Sequence, residues 1–134
     1  MDFESKNIRW KQRFQNLEKA FDFFEKAVEL PSYSDLEAAG LVQSFEFTFE
    51  LSMKTLKDYL ESLGKISNFP REVLKEAFES GILEDGHAWI HMLEKRNELS
   101  HTYNHDTVVK AVEIIKHTYY PAIEQLIYYL RKHN

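Results

Sequence analysis

The stretch SDLEAAGLVQSFEFTFELSMKTLKDYLESLG, residues 34–64, carries a helical period between a start signal and a stop signal. Ser34 followed by Glu37 has the spacing of a capping box, and Gly64 is suited to the left-handed stop at a helix end. Between them Val42, Phe45, Phe49, Met53, Leu56, Leu60 and Leu63 recur every three or four positions, which draws one apolar stripe along a helix. Phe47 and Leu51 fall off that stripe, so the helix is apolar on more than one side. Such a pattern suits a helix that meets its bundle neighbours and also a second subunit. Glu46, Glu50 and Lys54 form a row at fourfold spacing. The row is either a surface ion-pair ladder or a set of groups that orient Arg96 from across the bundle.

Working outward, Trp10, Phe14, Leu17, Phe21, Phe24 and Val28 make a similar seam between Ile8 and Leu30, ended by Pro31, whose ring and missing N–H stop the ladder. Downstream, Pro70 opens a short helix to Ser80, stopped by Gly81. Asp85 caps a fourth helix carrying Trp89, Ile90, Met92, Leu93 and Leu99, and Asn104, His105 and Asp106 interrupt it, with Asp106 as the next cap. The last helix has Val108, Val112, Ile115, Tyr119, Ala122, Leu126 and Tyr129 in its seam, with Pro121 predicting a kink near residue 117. No run reads as a strand. The expected fold is all-α, an up-and-down four-helix bundle with one additional short helix, as a single domain over residues 1–134.

Composition narrows the function classes. With 43% apolar and 14% aromatic residues, the 134-residue chain can bury one core. No stretch is long and apolar enough to span a bilayer, and no signal peptide is visible, so a cytoplasmic protein with no membrane partner is expected. The chain has no cysteine, which removes disulfides and thiolate metal sites. A formal charge of −5 argues against a protein that coats DNA or RNA through a general basic field. Any RNA contact must be local.

The chemistry-bearing residues cluster in Arg96-Asn97-Glu98-Leu99-Ser100-His101-Thr102-Tyr103. Arg96 offers a planar fork of donors for a phosphate, and His101 can exchange protons near neutral pH. If RNA is the substrate, His101 would be the general base or acid for 2′-hydroxyl attack and Arg96 the stabiliser of developing phosphorane charge, with no metal. Asn97 could hold the imidazole in one tautomer. In a straight helix Arg96 and His101 lie about 140° apart on the wheel, so a local break, a wrapped side chain or a dimer would have to unite them. His87, His91 and Glu94 share a helix face and form a competing metal set, but the residues between the histidines are Ala88-Trp89-Ile90, with no acidic base, so the zinc-protease reading fails. Glycine-rich phosphate loops and a recognisable frame of paired carboxylates are missing, which argues against an autonomous nucleotidyltransferase.

The blocks Phe45 to Lys54, Tyr59-Leu60 with Gly64, Pro70-Arg71, Trp89, Arg96-Asn97 and His101-Thr102-Tyr103, in that order, resemble the nucleotidyltransferase substrate-binding protein family, a branch of the HEPN superfamily. The resemblance runs from about Arg13 to Leu130. It implies a helical bundle similar to the substrate-binding domain of kanamycin nucleotidyltransferase, acting as a homodimer with a separate minimal nucleotidyltransferase. ATP and Mg²⁺ would enter only through that partner, and this chain would hold no cofactor of its own. Many such pairs resemble toxin and antitoxin. In them the HEPN member is a metal-independent ribonuclease with the pattern Arg, four residues, His, one residue, Tyr, matched here by Arg96, His101 and Tyr103. The resemblance also makes Tyr103 the residue that a partner would adenylylate. Two functions are therefore expected in competition, an interaction subunit and a ribonuclease.

Overall fold

The computed structural model describes residues 3–99 and 104–134. Helix α1 runs Phe3–Val28, α2 Asp35–Ser62, α3 Pro70–Glu79, α4 Gly86–Leu99 and α5 His105–Ile114; a π turn at Ile115–Tyr119 then leads into α6, Tyr120–His133. Among the described residues there is no strand. No helix among them is long and apolar enough to cross a membrane.

Local signals set the ends of these helices. The capping box of α2 is formed: the Glu37 N–H donates to Ser34 Oγ at 3.1 Å and the Ser34 N–H to Glu37 Oε1 at 2.9 Å. Gly64 and Gly81 take φ of 82° and 77°, the left-handed conformation that ends α2 and α3 without a Cβ clash. Asp85 caps α4 by accepting from the Ala88 N–H at 3.0 Å. The cap of α5 differs from expectation. Asn104, not Asp106, accepts the Thr107 N–H at 3.1 Å, which starts the helix at His105.

Helices α1 and α2 form an antiparallel hairpin, shown by contacts whose partners move in opposite directions along the chain: Arg13 with Asp58 at 2.6 Å, and Thr48 Oγ1 with the Ala20 carbonyl at 3.4 Å. The face of α2 against α1 is Ser44, Thr48, Ser52 and Thr55, all buried. These short side chains let the backbones approach. The hydroxyls of Thr48, Ser52 and Thr55 each donate to the carbonyl four residues back, at 2.8, 2.8 and 2.7 Å, so their burial leaves no donor unmet. The apolar stripe of α2 turns instead to the common core. There Phe45 and Phe49 meet Trp89 of α4, Tyr119 of the π turn and Phe24 of α1.

A π turn lies where the kink is expected. Pro121 has no N–H for the residue 117 carbonyl, and its ring would press on it. Widening the preceding turn so that the Tyr120 N–H reaches the Ile115 carbonyl relieves both problems. In α6 the expected seam residues Ala122 and Leu126 are buried, joined by Ile123, Ile127 and Leu130, while Tyr129, also an expected seam residue, is only half-buried. Helix α3 brackets α2 and α4 through Val73, Leu74 and Ala77, and Gln125 ties the α3–α4 turn to α6 by accepting from the Glu84 N–H and donating to the Ile82 carbonyl. The result is the all-helical bundle, with α3 as the additional short helix.

Candidate functional site

The last turn of α4 carries Arg96. Its guanidinium carbon lies 5.7 Å from the centre of the Phe49 ring, and Phe49 in turn packs on Trp89 at 6.0 Å. A cation held against an aromatic face gains about 0.5–1 kcal/mol at a partly exposed position. Arg96 is half-buried and makes no ion pair among the described residues. The planar fork of guanidinium donors is the kind that recognises phosphate or carboxylate oxygens. The indole N–H of Trp89 is buried with no hydrogen-bond partner among the described residues.

Asn97 is exposed one residue along α4. Glu50 and Lys54 are exposed on α2, and neither makes an ion pair among the described residues. The expected ladder is therefore not closed between them, and Glu50 does not bond to Arg96. His101 and Tyr103 lie outside the described residues, so Arg96 and Asn97 are the described members of the motif.

One pair near the motif escaped the sequence reading. His91 Nδ1 lies 2.6 Å from the Tyr119 hydroxyl, joining α4 to the π turn. Tyr119 is fully buried and stacks on Phe45 with ring centres 4.8 Å apart. Its phenol is pushed up to about 12, first by burial and then by the negative charge of Glu98, so it is a proton donor at neutral pH. No local signal announces this pair, because its members are 28 residues apart and depend on the wide turn. His91 thus has a structural engagement, and Glu94 bonds to Arg71 of α3 at 2.9 Å. Among the described residues no three His, Asp or Glu side chains converge on a point that a cation could occupy.

Residues 12–132 match the family described as nucleotidyltransferase substrate binding protein like. A curated relative, "Probable ribonuclease HepT" of Haemophilus influenzae, is 34% identical over 77 residues, covering 54% of this chain and 53% of that protein. The match thus spans about half the length of that relative. A crystal structure of a Thermus thermophilus protein superposes with a TM-score of 0.78 at 30% identity, covering 86% of this chain and 98% of that one. The Haemophilus influenzae protein HI0074, described as revealing the fold of a substrate binding domain of a nucleotidyltransferase, superposes with a TM-score of 0.66 at 25% identity over 94% of this chain and 98% of its own.

Proposed function

The chain belongs to the nucleotidyltransferase substrate binding protein like family, and from that premise we propose that it is the substrate-binding subunit of a two-component nucleotidyltransferase. Two copies of this chain and a separate small nucleotidyltransferase form the working assembly. The partner brings ATP and the Mg²⁺-binding carboxylates. Among the described residues of this chain no three His, Asp or Glu side chains form a set that could hold a metal ion. The observation that supports this reading most directly is Arg96, half-buried on Phe49 at the end of α4 and without a carboxylate partner among the described residues. A cation seated against a ring and without an ion pair among the described residues is suited to an anion supplied from outside, such as a phosphate or carboxylate of the substrate. Glu50, Lys54 and Asn97 line the exposed surface of the neighbouring α2 and α4 faces and take secondary contacts to that substrate.

A second reading is favoured by the ribonuclease name of the Haemophilus relative. In it Arg96 stabilises the phosphorane, His101 moves the proton of the attacking 2′-hydroxyl, and adenylylation of Tyr103 by the partner silences the enzyme in a toxin–antitoxin pairing. One experiment separates the two. The purified chain is incubated with structured RNA, alone and with a co-expressed small nucleotidyltransferase plus ATP and Mg²⁺. The subunit reading expects no RNA cleavage and stable co-purification of the pair, with Arg96→Ala reducing substrate modification at least tenfold. The ribonuclease reading expects cleavage that His101→Ala abolishes and that disappears when AMP is added at Tyr103.

A further inference from the structure

Among the described residues, two side-chain hydrogen bonds tie α4 to another element. One joins Arg71 to Glu94, side chains that are 61% and 48% exposed, where water competes for both groups. The other joins the fully buried Tyr119 to His91 Nδ1 at 2.6 Å. The ring contacts of α4 with α2, made by Trp89 and Arg96 on Phe49, are non-directional by comparison and tolerate sliding and rotation.

Burial fixes which group of the pair donates. The Tyr119 hydroxyl has no second partner among the described residues. Were Nδ1–H to donate to the phenol oxygen, the phenol hydrogen would lie in the core without an acceptor, at the full desolvation cost of that group. Tyr119 therefore donates, Nδ1 accepts, and the neutral His91 ring carries its proton on Nε2. The tyrosine is the fixed end of the bond. Its ring stacks on Phe45 at 4.8 Å, and the π turn that carries it is held to the loop between α1 and α2 by Lys116. Lys116 Nζ donates to the Leu30 carbonyl at 3.4 Å and lies 5.3 Å from the centre of the Tyr33 ring.

We propose that Tyr119 and His91 are positioning residues for Arg96: their bond sets the rotation of α4 about its axis and thereby the place of the guanidinium on the α2 side. The role rests on the reading that Arg96 receives an anion of the substrate. At 100° per residue His91 and Arg96 stand about 140° apart on the helix. Holding the His91 face on Tyr119 thus turns Arg96 away from the π turn and toward Phe49, where it is found. Glu98, seven residues after His91, returns to the His91 face, and its negative charge reaches the Tyr119 phenol. Two points of one face, before and after Arg96, therefore lie toward the π turn. With its side chains a helix has a radius of about 5–6 Å, so a rotation of roughly 10° moves a surface group by about 1 Å. Such a shift misaligns a planar fork of donors with its anion.

The test follows the Arg96 Nε–Hε magnetic resonance signal of the isolated full chain, identified by its loss in Arg96→Lys. In the wild type, long-range nitrogen spectra of His91 should show Nδ1 bare and Nε2 protonated. Tyr119→Phe should shift the Arg96 signal, because the Phe49 ring current at the guanidinium changes, and should weaken the binding of inorganic pyrophosphate about fivefold, the weight of one hydrogen bond. His91→Leu should do the same, and the two together should be no worse than either alone. His91→Asn keeps an acceptor near the place of Nδ1 and should restore both readouts. Tyr128→Phe, at an exposed tyrosine, should change neither. If Tyr119→Phe does not fold, the two His91 variants carry the same comparison. A pair that serves stability alone would lower the denaturation midpoint and leave the Arg96 signal and the pyrophosphate affinity of the folded chain unchanged, and that result overturns the proposal. So does a neutral His91 ring with its proton on Nδ1. The Arg96 signal needs no ligand, so it decides the positioning role even where pyrophosphate leaves the wild-type signal unmoved, a result that counts against the anion-binding reading of Arg96 instead.

Discussion

The two flanks of α2 are built from different kinds of residue and behave oppositely. Toward α1, the contact is made by small hydroxyl residues bonded to their own backbone, so two long helices lie close together over most of their length. Toward α4, the contact is made by large rings, Phe49 on Trp89 and Phe45 on Tyr119, with a polar pair, His91 and Tyr119, behind them. Small residues give close approach and leave the outer rings, Phe23 and Phe47, pointing at solvent. Large rings hold the helices apart and form a platform on which a charged group can rest. The difference shows why one flank offers an apolar surface and the other a half-buried cation.

Substitutions can test whether this division holds. The largest effect is expected at Phe49→Ala, which removes the ring under Arg96 and opens a cavity beside Trp89; chemical denaturation should show a loss of about 3–5 kcal/mol. Asp58→Ala comes next, because it strands Arg13 at the α1 flank. The Arg13 side chain is 43% exposed, so water recovers part of the loss and about 2 kcal/mol is expected, below the ~3–5 of a fully buried pair. Tyr119→Phe keeps the stack on Phe45 but removes the hydroxyl on His91, for about 1 kcal/mol, with a shift of the His91 ring-nitrogen resonances as its signature. Phe47→Ala should change the stability of the fold itself by no more than about 0.5 kcal/mol once any concentration-dependent part is separated by dilution. If Phe47→Ala and Phe49→Ala cost the same, the contrast between the flanks is lost.

Alkaline titration sharpens the same contrast. The Tyr119 phenol, pushed up to about 12 from 10.0, keeps its proton in the folded chain where the unfolded chain has already lost it. Its contribution to stability is therefore whole below pH 10 and is lost as pH rises through about 12. Tyr59 and Tyr120 are also shifted upward, chiefly by burial, and add to the decline. Tyr119→Phe should make the fall shallower, as followed by ellipticity between pH 9 and about 12.

Much of the framework can be read before any coordinates. The period of the apolar residues and the cap and stop residues at Ser34, Gly64, Gly81 and Asp85 depend only on near neighbours, and each sits where the pattern requires. The exposure of Phe47 is likewise visible as a ring off the main stripe. Features that need two distant segments at a fixed angle are not visible. His91 with Tyr119, Arg13 with Asp58 and the seat of Arg96 on Phe49 are set by how helices cross. The hydroxyl row Ser44, Thr48, Ser52 and Thr55 did have a signal, an alignment of small residues at helical spacing, but it is faint beside the apolar stripe. Pro121 announced a disturbance without its form, since a kink and a wide turn answer the same missing N–H.

That wide turn has a consequence for how sequences of this kind change over time. The rod from α5 to α6 holds a surplus residue opposite Pro121, and the exposed His117 and Thr118 belong to the segment that accommodates it. Deleting one codon here would straighten the turn but return the proline to a carbonyl it cannot satisfy, whereas replacing Pro121 alone would leave the surplus residue without its cause. The two changes are expected to be epistatic, each harmful singly and compatible together. Relatives that lack the proline should then be one residue shorter in this segment, with the buried face of the last helix kept.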